Sequence, residues 1–515
     1  MHSLRRLLLL FCGCAAVYFL FFHRLAERDL WSSHEARAAM DAQTILDDGA
    51  WGLPHLYDGR EELQKPPLYY WLVAAIGRLR GGVDAWAVRL PAALAACGCL
   101  LVLVGGMAVA RRRPVAGFLA AAILATALHF TWLARIGRID MPLTLAVTVA
   151  AGAFYLRRRG GTWWWLLAGY LAIATGVLLK GPIGLVLPGA VLTAHLVVEG
   201  DWRPRRWLPA ARRLGVWWGV PLLLAIALPW FVWAEDATAG KMSRVFLWYH
   251  NFGRGFGGTD LRSNPWWFYL PQFLGDFLPW SPLVVVAGVW CWRRPLLRRD
   301  PDARFGLSWF LAVLFVLSCV RFKRADYLLP AYPGAALFLG CVLRKWLGAR
   351  SGQFRAPLWG AAKHRLSSRP PKGGAAVALL ERWGVIGVVA ATVAGWIIHV
   401  EGDLRRNEPF RDYRGFATEV RRLAPPPEHV VFFRTEAHAL AFHVGRPLDV
   451  LVQWERLRAD VAAAGTHYVV MPPGCVDDCR RHLPDCRLRE VLRNTDLSGG
   501  AHERPLVLLA AEKIP

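Results

Sequence analysis

Long apolar runs, separated by short segments that carry charge, recur along most of this chain. That alternation constrains its fold more than any single motif does. An apolar run of about 20 residues placed in a bilayer must satisfy every backbone amide within itself, which leaves the helix as its form. Hydropathy places about eleven such runs, near 7–22, 90–110, 115–133, 141–156, 162–179, 183–198, 214–233, 280–292, 305–320, 327–343 and 383–400. Composition agrees: 55% of the 515 residues are hydrophobic and 26 are Trp. The first run follows Arg5 and Arg6 like a signal peptide, but no small-residue cleavage site follows it, so it is read as a span. The expectation is a polytopic α-helical membrane protein.

A formal charge of +24 suggests nucleic acid until its distribution is examined. If the first segment lies inside, the inner segments 2–6, 111–113, 157–161, 199–213, 293–304 and 344–382 hold 27 Lys and Arg against 5 acids. The outer segments 23–89, 134–140, 180–182, 234–280 and 321–326 hold 18 against 16. Basic residues gather in cytoplasmic loops, so the amino terminus is expected in the cytoplasm and the tail after residue 400 outside. The basic excess is topology and contact with anionic lipid, and no nucleic-acid partner is expected.

The expected organisation is a membrane unit over 1–400, with a large first external loop at 23–89, and a small extracytoplasmic α/β domain over 401–515. In that tail, His429 to Arg434, His467 to Met471 and Leu506 to Ala511 read as short strands. Tyr413 to Leu423 and Gln453 to Ala464 read as helices. Residues 350–375, rich in Arg, Lys, Gly, Ser and Pro, read as an inner loop. Seven of ten cysteines fall in or beside apolar runs; Cys475, Cys479 and Cys486 fall in the tail, where one disulfide is expected, with its pairing open.

The stretch WSSHEARAAMDAQTILDDGAWGLPHLYDGREELQKPPLYYWL, Trp31 to Leu72, lies among apolar runs yet is dense in carboxylates, turn residues and aromatics. It reads as a folded polar loop at a membrane surface, with Pro66-Pro67 placed to start the next helix. Other ionisable clusters fall on the same expected side: Arg135, Arg138 and Asp140 in LARIGRIDMPL, Lys180 in LLKGPIGL, His250 and Arg254 in WYHNFGRGF, and Lys323 and Tyr327 in RFKRADYLLPAYP. Cations at membrane depth suit a phosphate and a nearby carboxylate suits a general base. The plainer reading of each is a snorkelling anchor or a structural ion pair. Their convergence on one side favours a site.

HEARAAMDAQTILDDGAWGLPHLYDGREELQKPPLYYWL resembles the first external loop of GT-C class membrane glycosyltransferases that use polyprenyl-phosphate sugars, the protein mannosyltransferase and aminoarabinose (lipid A) transferase group. RIGRIDMPL, LLKGPIGLVLP, HNFGRGF with NPWWFYL and FLPW, and KRADYLLPAYP follow in the family's order, over roughly 1–345. The resemblance implies a GT-C helical bundle in a bacterial inner membrane, with a cavity facing the periplasm. It implies a polyprenyl-phosphate-linked sugar donor and a glycolipid (lipid A), glycan or protein acceptor. Transfer is by displacement with inversion. It implies Glu35 and Asp140 as catalytic carboxylates, and Arg37, Lys65, Arg138, Lys180, His250, Arg254, Lys323 and Tyr327 as the pool holding donor phosphate and substrate. The family often opens this loop with Asp-Glu, where this chain has His34-Glu35, and often has an acid where Gln64 stands. Some members keep the Glu-x-Arg pattern that Glu35 and Arg37 match. No cofactor is assigned and no metal ligands are named, a divalent metal remaining compatible; Gln64 disfavours a metal contact at its position. A lipid or sugar transporter, or an inactive receptor on the same fold, are the alternative readings.

Overall fold

The computed structural model describes residues 2–30, 32–57, 59–200, 203–253, 255, 257, 263–293, 300–350, 374–463, 465–498 and 500–514. Arg254 and most of the inner loop expected at 350–375 lie outside these. The chain begins with nine α-helices: α1 (His2–Phe21), α2 (Ser33–Asp48), α3 (Leu68–Arg80), α4 (Ala85–Gly105), α5 (Pro114–Ala125), α6 (Leu128–Ala134), α7 (Asp140–Arg158), α8 (Trp164–Lys180) and α9 (Ile183–Val198).

Among the described residues, five helical segments are long and apolar enough to cross a membrane: Ala85–Ala110, Val216–Ala237, Pro301–Cys319, Ala325–Leu347 and Trp383–Leu423. The number rises to seven if α5–α6, bent by 73°, and Trp266–Asp276 with Ser281–Arg293, bent by 113°, each count as one span. Leu10–Phe21, α8 and α9 are shorter apolar helices. The eleven expected crossings are therefore not matched one for one by long straight helices. Breaks are tolerated here because freed backbone groups find partners inside the bundle. Leu128 N, at the α5–α6 bend, donates to Leu278 O in the other bent pair at 2.9 Å.

The bundle core is made of α4, α5, α7, Pro301–Cys319 and Tyr332–Arg350, with Trp280, Trp309, Phe338 and Tyr332 wholly buried. Small residues set the close approaches. Gly340 lies against the backbone of α5, where a Cβ would come within 2.8 Å of Ala116 O and Ala120 N. At one end, Arg111 and Arg113 of the α4–α5 link meet Asp302 and Asp300 at 2.7 and 2.8 Å, and Lys345 reaches Asp300 at 2.9 Å. These pairs close the end of the bundle where the expected inner loops gather.

At the other end, α2 and α3 fold the first loop back onto the bundle. Ser32 caps α2 by accepting from Glu35 N at 3.3 Å, and Gly49, at φ 70°, ends it. Ala36, Ala38, Ala39 and Ala42 face inward, and these small side chains let α2 pack tightly with Tyr69, Val73 and Val88. Helix α3 begins immediately after Lys65-Pro66-Pro67, with Pro67 as its cap.

The tail forms a five-stranded sheet of order β2-β1-β3-β5-β4. Its strands are β1 (His429–Phe433), β2 (Asp449–Leu451), β3 (Thr466–Met471), β4 (Cys486–Arg493) and β5 (Val507–Lys513). Strand β1 runs parallel to β2 and β3, and β5 runs antiparallel to β3 and β4. One sheet face shares a core with the first loop, through Met40 and Leu56 against Phe416, Leu440 and Val444. The disulfide expected among Cys475, Cys479 and Cys486 is not formed. All three are free thiols, and Cys479 is fully buried in the apolar cluster under the other face, with Cys475 and Cys486 packed against it. They serve there as small hydrophobes.

Candidate functional site

The site is built where α2, the Lys65-Pro-Pro segment, the α6–α7 link, the end of α8 and the turn before Tyr332–Arg350 meet. Arg89 holds these parts together. Its Nη1 donates to Leu25 O and Arg28 O at 2.8 and 2.7 Å, and its Nη2 to Asp29 O at 2.6 Å. Its remaining edge grips Glu35: Nε to Oε1 at 2.7 Å and Nη2 to Oε2 at 3.0 Å. Both side chains are 0% exposed. Gly137 N adds a third hydrogen bond to Glu35 Oε1, at 2.7 Å. Only glycine brings that amide so near, since a Cβ would lie 2.3 Å from Val88 Cγ1. Burial alone would raise the Glu35 carboxyl; the Arg89 charge and its hydrogen bonds outweigh it and hold the group at about 2. Arg135 does related work one turn away, donating to Leu20 O at 3.0 Å and His23 O at 2.6 Å at the end of α1. Glu35 is thus sealed from any solvent-borne acceptor by its own partners.

Asp140 stands at the start of α7, with Lys180 Nζ at 2.5 Å from Oδ1 and Arg138 Nε at 3.7 Å from Oδ2. The Lys180 ammonium lies over the Tyr327 ring at 4.2 Å. Arg138 also reaches Asp326 at 2.5 Å, and Asp326 continues to His129 at 3.3 Å; His129 in turn lies 3.3 Å from Asp276. A line of polar contacts, Lys180–Asp140–Arg138–Asp326–His129–Asp276, therefore crosses the bundle. It ends at a cavity of about 590 Å³ lined by Leu128, His129, Trp132, Asp276, Trp396 and Glu408.

Lys65 and His34 face the Asp140 end of that line. Arg37 is anchored to Glu62 at 2.9 Å, and Glu62 also accepts from Gln64 N at 2.8 Å, which stiffens the approach to Lys65. The Lys65 ammonium itself has no hydrogen bond or ion pair among the described residues. Burial lowers it to about 8, against the opposing pull of Glu62 and Asp140. His34 accepts from Arg324 Nη1 at 3.1 Å. Burial, and then the charges of Lys65, Arg138 and Arg324, bring His34 down to about 3, so its ring is neutral.

Of the ten residues expected to act, the structure brings Asp140, Arg138, Lys180, Tyr327 and Lys65 into one charged assembly, with Arg37 beside it. Glu35 lies beneath this assembly on Arg89. Lys323 is buried and donates to two carbonyls, Asn264 O at 3.1 Å and Val320 O. His250 is half-buried in Ser243–Gly253, beside Tyr249. The sequence reading passed over Arg89, Glu62, His129 and Asp276. Two of these carried a usable signal, since Arg89 in AWAVRLPAAL and His129 in ALHFTWL are ionisable residues inside apolar runs, where charge is costly and retained for a reason.

The sequence model of the family described as dolichyl-phosphate-mannose-protein mannosyltransferase matches residues 6–240. The fold is that of the aminoarabinose transferase ArnT from Cupriavidus metallidurans bound to undecaprenyl phosphate, with a TM-score of 0.75 at 21% identity over 98% of this chain and 97% of that one. The amino-terminal half of this chain is thus similar to a lipid-phosphate-sugar transferase family, and its fold is similar to that of ArnT. Another GT-C neighbour, the archaeal oligosaccharyltransferase AglB from Archaeoglobus fulgidus, aligns at a TM-score of 0.53 and 13% identity over 90% of this chain and 69% of that one. Curated relatives include the undecaprenyl phosphate-alpha-4-amino-4-deoxy-L-arabinose arabinosyl transferase of Pseudomonas paraeruginosa, 30% identical over 62% of this chain and 56% of that one. A second, from Pseudomonas fluorescens, is 28% identical over 64% and 57%. The chain thus aligns with little more than half the length of these curated relatives.

Proposed function

We propose that this chain is an integral membrane glycosyltransferase that moves a sugar from a polyprenyl-phosphate donor to a glycolipid acceptor of the lipid A kind, at the periplasmic face of a bacterial inner membrane. The observation that carries this reading is the Lys65 ammonium, without a hydrogen bond or ion pair among the described residues, where the two acids that act on it, Glu62 and Asp140, are held by Arg37 and Lys180. An arriving phosphate would be its counter-ion. His34, neutral where relatives often carry a carboxylate, leaves the site one negative charge poorer and favours an anion further. In this reading Lys65 anchors the donor phosphate, while Lys180, Arg138 and Arg37 supply positive potential. The acceptor oxygen or nitrogen attacks the anomeric carbon and the bond from that carbon to the phosphate oxygen breaks. Polyprenyl phosphate leaves with the electron pair, stabilised by these cations, and the sugar inverts. Asp140 takes the acceptor proton, its charge freed as the phosphate competes for Lys180 and Arg138. Glu35 is a positioning residue, fixing Arg89 and the α6–α7 link that presents Arg138 and Asp140.

The polarity proposed has a cytoplasmic amino terminus, about eleven crossings including the shorter and bent helices, a membrane unit over 1–400 and a periplasmic tail over 401–515. The test is transfer from radiolabelled undecaprenyl-phosphate-linked aminoarabinose to lipid A by the purified chain in nanodiscs. Lys65→Ala should lower turnover by about 10²-fold or more, and Lys65→Arg should retain part of it. Failure of the wild-type chain to release undecaprenyl phosphate from any of a panel of such sugar donors would overturn the proposal.

A further inference from the structure

The tail holds a second constellation, far in sequence from the charged assembly. Strands β1 and β3 run side by side in parallel, and their register pairs His429 with His467, so both imidazoles rise from one face of the sheet. The helix Trp454–Asp460 ends next to them, and the short return to β3 turns at Gly465, at φ 117°. This brings Asp460 beneath both rings.

The hydrogen bonding assigns the proton on His467. Its Nε2 lies 3.2 Å from Ala463 O, a partner that can only accept, so Nε2 carries a hydrogen, and in the neutral ring Nδ1 has the lone pair a cation would take. His467 is 8% exposed. Among the described residues its buried Nδ1 has no hydrogen-bond partner, and neither has Asp460 Oδ2. These two electron-rich atoms are 4.0 Å apart, and His429 Nδ1 is 3.3 Å from the same carboxylate oxygen. The three ligand atoms lie within 4.8 Å of one another. The rings are edge-on, at 81°, not stacked, which lets both nitrogens aim at a common point.

Leaving a buried acceptor unsatisfied costs about 1–3 kcal/mol; a proton on His429 would serve Asp460 Oδ2 at 3.3 Å, but none bridges His467 Nδ1 and that oxygen, 4.0 Å apart. One cation serves both. Metal–ligand bonds of about 2.0–2.1 Å in a tetrahedron place ligand atoms about 3.3 Å apart. One pair already matches; His467 and Asp460, at 4.0 Å, must close by about 0.7 Å, and the two histidines by no more than about 1.5 Å. Two imidazoles and one carboxylate are donors for Zn²⁺ and its neighbours in the transition series, and poor ones for Ca²⁺ or Mg²⁺.

We propose that His429, Asp460 and His467 form a binding site for a zinc-class divalent ion. The fourth position is open to solvent beside His429, and the Ala463 carbonyl acts as the outer partner that orients His467. The ion would tie β1, β3 and the helix before β3 into one rigid unit. This site is independent of glycosyl transfer and stands or falls separately from it.

The test uses the full chain in detergent after treatment with a chelator. Zn²⁺ competed against a chromophoric chelator should bind the wild-type chain at one site that is weakened by more than about tenfold in His429→Ala and in Asp460→Asn. Co²⁺ should give visible absorption of a four-coordinate centre, absent from both variants. Because His429 is exposed, His429→Ala should keep the wild-type fold, monitored by circular dichroism. Equal Zn²⁺ stoichiometry and affinity in the wild-type chain and both variants would overturn the site, as would no Zn²⁺ binding by the wild-type chain.

Discussion

Glu35 and Lys65 are neighbours in the loop's resemblance to its relatives, yet their surroundings set them apart. Glu35 has three hydrogen bonds and a buried guanidinium, while Lys65 has no hydrogen bond or ion pair among the described residues. Removing one member of a fully buried ion pair leaves the other uncompensated, at about 3–5 kcal/mol. Glu35→Ala should therefore lower unfolding stability by about that amount, and Arg89→Ala should do the same, both read by thermal or denaturant unfolding in detergent. Because the Glu35 pKa is depressed from 4.5 to about 2, its stabilisation is fully present above pH 4.5 and is lost as pH falls towards 2. Lys65 predicts a pH effect on binding instead. Its ammonium, at about 8 in the free site, must be charged to hold a phosphate. Affinity for undecaprenyl phosphate should fall above pH 8 by up to about tenfold per unit, and Lys65→Arg should flatten the profile because the guanidinium stays charged. A wild-type binding profile level from pH 7 to 9.5 would remove Lys65 from the phosphate site.

The elements show where pattern reading succeeds and where it stops. Strands β1, β3 and β5 were legible because they are central and nearly all apolar, as in HVVFF and VLLAA. Strands β2 and β4 were not, since β2 has three residues and β4, CRLREVLR, is an edge strand with charged, exposed positions. Helix α2 lies in the stretch that reads as a folded polar loop, and nothing in its own sequence tells that Glu35 meets Arg89, 54 residues away. The tail and the first loop are clasped at Asp29. It lies 2.6 Å from His443 Nε2 and accepts from Tyr413 N at 2.9 Å. Burial would raise the Asp29 carboxyl, but these partners prevail and it is lowered. Asp29→Ala should speed amide hydrogen exchange in Arg414–Leu423 and His438–Val444 while leaving α7 and α8 unchanged. Unaltered exchange in both tail helices would show that the clasp adds nothing to tail docking.

For the whole molecule, the bias of basic residues predicts a polarity that one experiment checks. A reporter active only in the cytoplasm should be active when fused after Arg159, between α7 and α8, and silent when fused after residue 515. The reverse pattern would put the charged assembly on the wrong side for a periplasmic acceptor. Hydropathy and the short apolar strand patterns were sufficient for a mostly helical membrane bundle and a small α/β tail, because each depends on residues close together along the chain. Hydropathy does not separate straight crossings from bent ones, since it sees composition and not bends such as those at α5–α6 and before Ser281. Which of the site's charges are partnered was decided only in three dimensions. Arg89 meets Glu35, Lys180 meets Asp140 and Arg138 meets Asp326 across 54, 40 and 188 residues. The free energy of a charge at membrane depth depends on the partner that packing brings to it, and that is why Lys65, with no such partner among the described residues, stands out only in the folded chain.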